Sequence, residues 1–133
     1  MNNWVVIIMA AGMGARMRSS MPKVLHEVAG IPVITHVLRA ARSLDPASVY
    51  VVTTPSHRKD LSGLLGTGVS FIDQTSPLGT GDALATAVRA LPVSDDPNIV
   101  LSGDIPILRA ESLRALATLH LDRSAVLTAI TAS

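Results

Sequence analysis

Apolar and polar positions along the chain follow two alternating rhythms. Trp4 to Met9 is a continuous apolar run rich in β-branched residues, which suits a strand buried on both faces. From Ile34 the apolar positions Ile34, Val37, Leu38, Ala41 and Leu44 recur at helical spacing, and Asp45-Pro46 ends the run. A short buried strand over 49–52 follows. Ser56 is expected to cap a weak helix carrying Leu61, Leu64 and Leu65, broken by Gly66 and Gly68. Val69 to Ile72 predicts a third strand. Thr80 or Asp82 is expected to cap a helix with Leu84, Ala87, Val88 and Leu91 on one face. Asn98 to Leu101 predicts a fourth strand running into Ser102-Gly103-Asp104, Leu113, Leu116 and Ala117 another helix, and AVLTAIT (125–131) a fifth strand.

This alternation predicts an α/β fold with a mostly parallel sheet, right-handed crossovers and helices on both faces. Ligands of such sheets bind beyond the carboxyl ends of the strands. The polar clusters fall there, at 10–23 after the first strand, 73–82 after the third and 102–106 after the fourth.

Composition narrows the function classes. With 48% apolar residues in 133, the chain can bury a core, and with three aromatics (Trp4, Tyr50, Phe71) that core must be aliphatic. A net charge of +1 and the lack of any basic block argue against nucleic acid as a partner. The absence of cysteine removes disulfides and thiol chemistry and is compatible with a cytoplasmic setting. The longest apolar run is far short of the ~20 residues of a membrane span, and only three residues precede it, too few for the basic leader of a signal peptide.

The stretch MAAGMGARMRSSMPKVL (9–25) carries the candidate chemistry. Glycines at a strand end let backbone N–H groups approach an anion, and Gly12 and Gly14 stand there, with Arg16 and Lys23 as cations. Two familiar phosphate loops are excluded. Met17 occupies the third glycine of G-x-G-x-x-G, and no Gly-Lys pair exists for G-x-x-x-x-G-K-[ST]. From these residues alone two readings stay open: a phosphate cradle, or a simple turn flanked by solvated cations. His26, His36, His57 and His120 share no ligand spacing.

The order of pieces adds a resemblance. AAGMGARM, then MPKVLHEVAG, QTSPLGTGDAL and SGDIP resemble the sugar-nucleotide pyrophosphorylases, and among them the uridylyltransferase domain of bacterial N-acetylglucosamine-1-phosphate uridylyltransferases. The likeness runs from about Val5 to Leu119. It implies a Rossmann-like three-layer α/β/α fold, with residues 1–133 as the N-terminal nucleotide-binding portion and the sugar-binding half and any acetyltransferase domain absent. It implies transfer of UMP from UTP to N-acetylglucosamine 1-phosphate, with Mg²⁺ as cofactor. Met9, Ala10, Ala11 and Gly12 would line the nucleotide, with Gly14 in the same loop. Arg16 and Lys23 would neutralise the triphosphate, Gln74 would read the uracil edge, and Gly79 and Thr80 would close over the base. Ser102, Gly103 and Asp104 would lie under ribose and phosphates, with Asp104 binding the metal. Arg16, Lys23 and Asp104 are therefore the catalytic candidates.

The chain departs from the family pattern at Met13, Ala15, Pro77 and Asp82. Pro77 stands where a glutamine is frequent, which removes one amide from base recognition, and Asp82 stands where histidine is common. Two competing expectations follow: a non-catalytic nucleotide-binding module, or a transferase for another base or sugar phosphate. Exposed edges beside the missing half would make the chain prone to homo-oligomerisation.

Overall fold

A computed structural model describes residues 3–12, 21–76, 78–105 and 107–131. Four parallel strands form the main sheet: β1 (Val5–Met9), β4 (Ser48–Thr53), β5 (Ser70–Asp73) and β6 (Asn98–Ser102). Their spatial order is β5-β4-β1-β6. The helices are α1 (Val33–Arg42), α2 (Pro55–Leu65), α3 (Thr80–Ala90) and α4 (Ala110–Asp122), and a small antiparallel hairpin, β2 (Glu27–Val28) and β3 (Ile31–Pro32), precedes α1.

The period of two along each strand sorts its side chains into two cores. Val6, Ile8, Val49, Val51, Ile99 and Leu101 face one side, packed with Ile34, Val37 and Leu38 of α1, Leu61 and Leu65 of α2, and Leu113 and Ala117 of α4. Ile7, Val52 and Ile72 face the other side, where Ala83 and Ala87 of α3 cover them. Every central position of β1 is thus fully buried, which explains its unbroken apolar run. The second layer stops short of β6, whose Val100 is 43% exposed.

The α/β class, the parallel sheet and the four helices agree with the sequence reading; three local expectations do not. The strand expected at 125–131 is unpaired chain turning back along α4, through Ala125 N–H to His120 O (3.0 Å) and a hydrogen bond between Thr128 Oγ1 and His120 Nδ1 (3.0 Å). A groove of ≈ 610 Å³, bordered by Val100, Leu101, Leu113, Leu127 and Ile130, separates it from β6. An apolar pattern becomes a strand only where another strand meets its N–H and C=O groups.

Ser56 does not cap α2. Thr54 holds the cap position, Pro55 opens the helix with the φ that suits its first turn, and Gly66 at φ 69° closes it. Neither Thr80 nor Asp82 caps α3, because the cap residue is Gly79 at φ 99°, and both lie inside the first turn.

The β2–β3 hairpin was not foreseen. Its turn, Ala29 (φ 54°) and Gly30 (φ 75°), places two consecutive residues in the left-handed region, as a tight two-residue hairpin requires.

Candidate functional site

The chain runs from β1 outward through β4 to β5, then returns across β1 to β6. Reversal of direction opens a crevice at the carboxyl ends of β1 and β6, where the helices that follow diverge. A cleft of ≈ 570 Å³ occupies it, lined by Met9, Ala11 and Gly12 after β1, Lys23 and Val24, Gln74 after β5, Gly79, Thr80 and Ala83 of α3, and Val100, Ser102 and Asp104 of β6 and its exit.

Two buried contacts hold the floor. Gly103 N–H donates to Met9 O (2.9 Å), joining the ends of β6 and β1. A Cβ on Gly103 would sit 2.8 Å from that same oxygen and 3.2 Å from Val24 Cγ1, so this approach requires glycine. Val24, 3% exposed, lies in a short 3₁₀ turn, Lys23–Leu25, and anchors it in the core. Its neighbour Lys23 is thereby left at the cleft.

Lys23 Nζ lies 2.7 Å from Asp104 Oδ2, and the Ser102 hydroxyl donates to Asp104 Oδ1. The Lys23 ammonium, and after it the Ser102 hydroxyl, hold the Asp104 carboxyl below the ordinary carboxylate value. The cleft therefore presents an ionised carboxylate and a cation across the β1–β6 crevice at neutral pH.

On the opposite wall Gln74 is 3% exposed, one of two buried polar side chains among the described residues. Its Nε2 donates to Asp82 Oδ2 (2.7 Å) and, more distantly, to Gly79 O (3.4 Å), while its backbone N–H holds Thr53 O (2.8 Å).

Of the sequence candidates, Met9, Ala11, Gly12, Lys23, Gln74, Gly79, Thr80, Ser102 and Asp104 come together around this one cleft. Ala10 instead packs into the core at 2% exposure, its N–H bonded to Val52 O (2.8 Å), and Gly103 lies beneath the floor. Gly14 and Arg16, with the departing positions Met13, Ala15 and Pro77, lie outside the described residues. Val24, Ala83 and Val100 were not among the candidates, and apolar residues inside a strand or helix gave no chemical signal for them. Asp82, expected as a helix cap and as a departure from the family pattern, instead accepts the Gln74 amide.

The fit to a divalent cation rests on Asp104. Among the described residues no three His, Cys, Asp or Glu side chains cluster. A single ionised carboxylate suits Mg²⁺, which commonly takes one or two carboxylates and completes its shell with water and substrate phosphates. No helix among the described residues is long and apolar enough to cross a membrane.

The MobA-like NTP transferase domain matches residues 6–133. Bifunctional protein GlmU of Streptococcus agalactiae is 39% identical over 133 residues, covering 99% of this chain and 28% of that protein. The protein of the same name from Cupriavidus taiwanensis is 44% identical over 113 residues, covering 84% and 24% respectively. The chain thus spans about a quarter of the length of the curated relatives it matches. A nucleotidyl transferase from Methanothermobacter thermautotroptrophicus superposes with a TM-score of 0.72 at 26% identity, over 89% of this chain and 58% of that one. CMP:2-keto-3-deoxy-manno-octonic acid synthetase complexed with CTP shares the fold, with a TM-score of 0.69 at 24% identity over 92% and 49% of the two chains. With its own sequence matched from residue 6 to its last position, the chain belongs to the family of MobA-like NTP transferase domains.

Proposed function

We propose that this chain carries the nucleotide site of a sugar-1-phosphate nucleotidyltransferase that moves UMP from UTP to N-acetylglucosamine 1-phosphate, releasing pyrophosphate. The observation that carries the reading is the cleft at the β1–β6 crevice, where Lys23 and Asp104 sit opposite Gln74 and Thr80. The residue types suit the reaction. A phosphate oxygen of the sugar attacks the α-phosphorus of UTP, a new P–O bond forms, and the bond to the β-phosphate breaks. Both reactants are anionic, so the site's task is to offset charge and hold geometry, with no covalent intermediate.

Lys23 exchanges its contact with Asp104 for phosphate oxygens, and Arg16 supplies a second cation from the Gly-rich loop. The backbone at Met9, Ala11 and Gly12 and at the Ser102–Asp104 turn borders the ribose and phosphates. Asp104 would hold Mg²⁺, whose role is to neutralise and orient the phosphates. Gln74 faces the base, and Gly79 and Thr80 border it.

One observation favours a second reading, nucleotide binding without turnover. The α3-side face of β6 is uncovered, with Val100 43% exposed, so the cleft stands open beyond that strand. Thermal unfolding with UTP, CTP, GTP and ATP, each with and without Mg²⁺, tests both. A ligand at a hundred times its Kd adds about 2.7 kcal/mol, a shift of several degrees. A Mg²⁺-dependent shift with UTP supports the site, and pyrophosphate release on adding N-acetylglucosamine 1-phosphate then decides between turnover and binding alone. No shift with any nucleotide refutes the nucleotide reading.

A further inference from the structure

We infer that Asp82 is a positioning residue that selects the base by fixing the orientation of the Gln74 amide. The inference rests on the proposed nucleotide reading of the cleft and adds to it a residue acting through Gln74. An amide has two faces, one donating and one accepting, and nothing in its shape decides which one a ligand meets. Here the surroundings decide. The Gln74 amide group contacts a carboxylate oxygen of Asp82 at 2.7 Å and a backbone carbonyl of Gly79 at 3.4 Å. Both can only accept, so both require the NH₂ face. With the side chain buried to 3% exposure, a reversed amide would set its oxygen against two acceptors. The remaining polar atom, Oε1, has no hydrogen-bond partner among the described residues and belongs to a residue lining the cleft.

The wall therefore offers an acceptor, and a base is favoured where its edge presents a ring N–H. Uracil meets that condition; cytosine, the same size, presents an unprotonated ring nitrogen at the corresponding place. Asp82 takes no direct part in this contact. Its position in the first turn of α3, eight residues after Gln74, lets the helix entry bring it back onto the amide.

The test compares Kd values for UTP and CTP with Mg²⁺ by titration calorimetry, in the unaltered chain and in Asp82→Ala and Asp82→Asn. Removing the negative charge strengthens every triphosphate alike, so the readout is the ratio of the two affinities. That ratio is expected to favour UTP in the unaltered chain and to fall about tenfold in Asp82→Ala, where the amide can reverse and donate to cytosine. Asp82→Asn, which keeps an oxygen of the same shape, is expected to fall between. Unfolding midpoints confirm that each variant is folded. Should either variant fail to fold, the side-chain amide protons of Gln74 in the unaltered chain, followed by NMR, give the second measurement: slow exchange supports a locked amide, and exchange at the rate of a free amide overturns it. A ratio unchanged in both variants, with UTP still bound, overturns the role of Asp82 and leaves the nucleotide reading standing. If the unaltered chain binds neither nucleotide, the nucleotide reading falls and the inference with it.

Discussion

Gly103→Ala tests whether the site floor is as tight as its geometry implies. The added methyl group would lie 2.8 Å from Met9 O, where ordinary contact begins at 3.4 Å, so something must move by about 0.6 Å. Val24 Cγ1, at 3.2 Å, can give way by a small rotation, but the Met9 carbonyl belongs to the central strand. Retreat of either backbone stretches the Gly103 N–H to Met9 O hydrogen bond of 2.9 Å, which is worth about 1 kcal/mol. Overpacking adds about 1–2 kcal/mol. A loss of about 2 kcal/mol is therefore expected, or roughly 5–10 °C in midpoint for a domain of this size. Urea denaturation followed by far-UV circular dichroism measures it, with the fluorescence of Trp4, the one tryptophan and 7% exposed, as an independent probe. Gly81→Ala is the control: it lies in the first turn of α3 with open space at its Cβ, and should be neutral or stabilising. A Gly103→Ala chain within about 0.5 kcal/mol of the parent would refute the argument, because an ordinary surface change costs no more.

Other outcomes follow from the same contacts. Lys23→Ala should weaken Mg²⁺–UTP binding by about tenfold or more, since charge-assisted contacts to phosphate are the stronger kind; unchanged affinity would return Lys23 to the role of surface cation. In the metal-free chain the lowered pKa of Asp104 stabilises the fold above the ordinary carboxylate range. That contribution is lost as pH falls through the folded-state value. Asp104→Asn should accordingly flatten the acid limb of a stability–pH profile, and an identical acid limb would show that the ion pair contributes nothing to it. The bare face of β6 and the exposed Val126, Leu127 and Ile130 should make the chain associate as concentration rises. Sedimentation velocity that shows a constant monomer across a hundredfold range would contradict this.

Much of the architecture was legible because burial on both faces leaves a plain mark. Val6, Ile7 and Ile8 are fully buried, and their run of β-branched residues suits a strand covered on both faces. The cleft was legible in part: Gly12 and Lys23 stand out after a buried strand, whereas Gln74, Gly79, Thr80, Ser102 and Asp104 became candidates only through the family resemblance. What escaped depends on contacts between distant segments. The strand expected at 125–131 has the right residues, yet strand formation is a property of a pair of segments, and the sequence of one shows nothing of the other. The hairpin at 27–32 escaped because its turn uses Ala29 in a left-handed conformation, where asparagine or aspartate is the familiar marker. The capping misjudgements share a cause: Ser56, Thr80 and Asp82 are good cap residues one or more positions inside the helices that form, and a glycine or threonine before them already turns the chain. Asp82 carried a signal, as an acid eight positions after a glutamine, but only the path of the loop between them shows that they meet.

The contact between Lys23 and Asp104 also means that the resting cleft contains its own counterion. A bare phosphate anion must displace a carboxylate to reach the ammonium, and it leaves that carboxylate without a cation. On the proposed reading, a nucleotide arriving with its divalent cation would meet both needs at once, each half of the pair changing partner so that the number of satisfied charges is preserved. Binding of the metal complex would then be an exchange of ions, with few small ions released to the solvent. Its affinity should depend only weakly on ionic strength, whereas that of the metal-free nucleotide should be both lower and steeply salt-dependent.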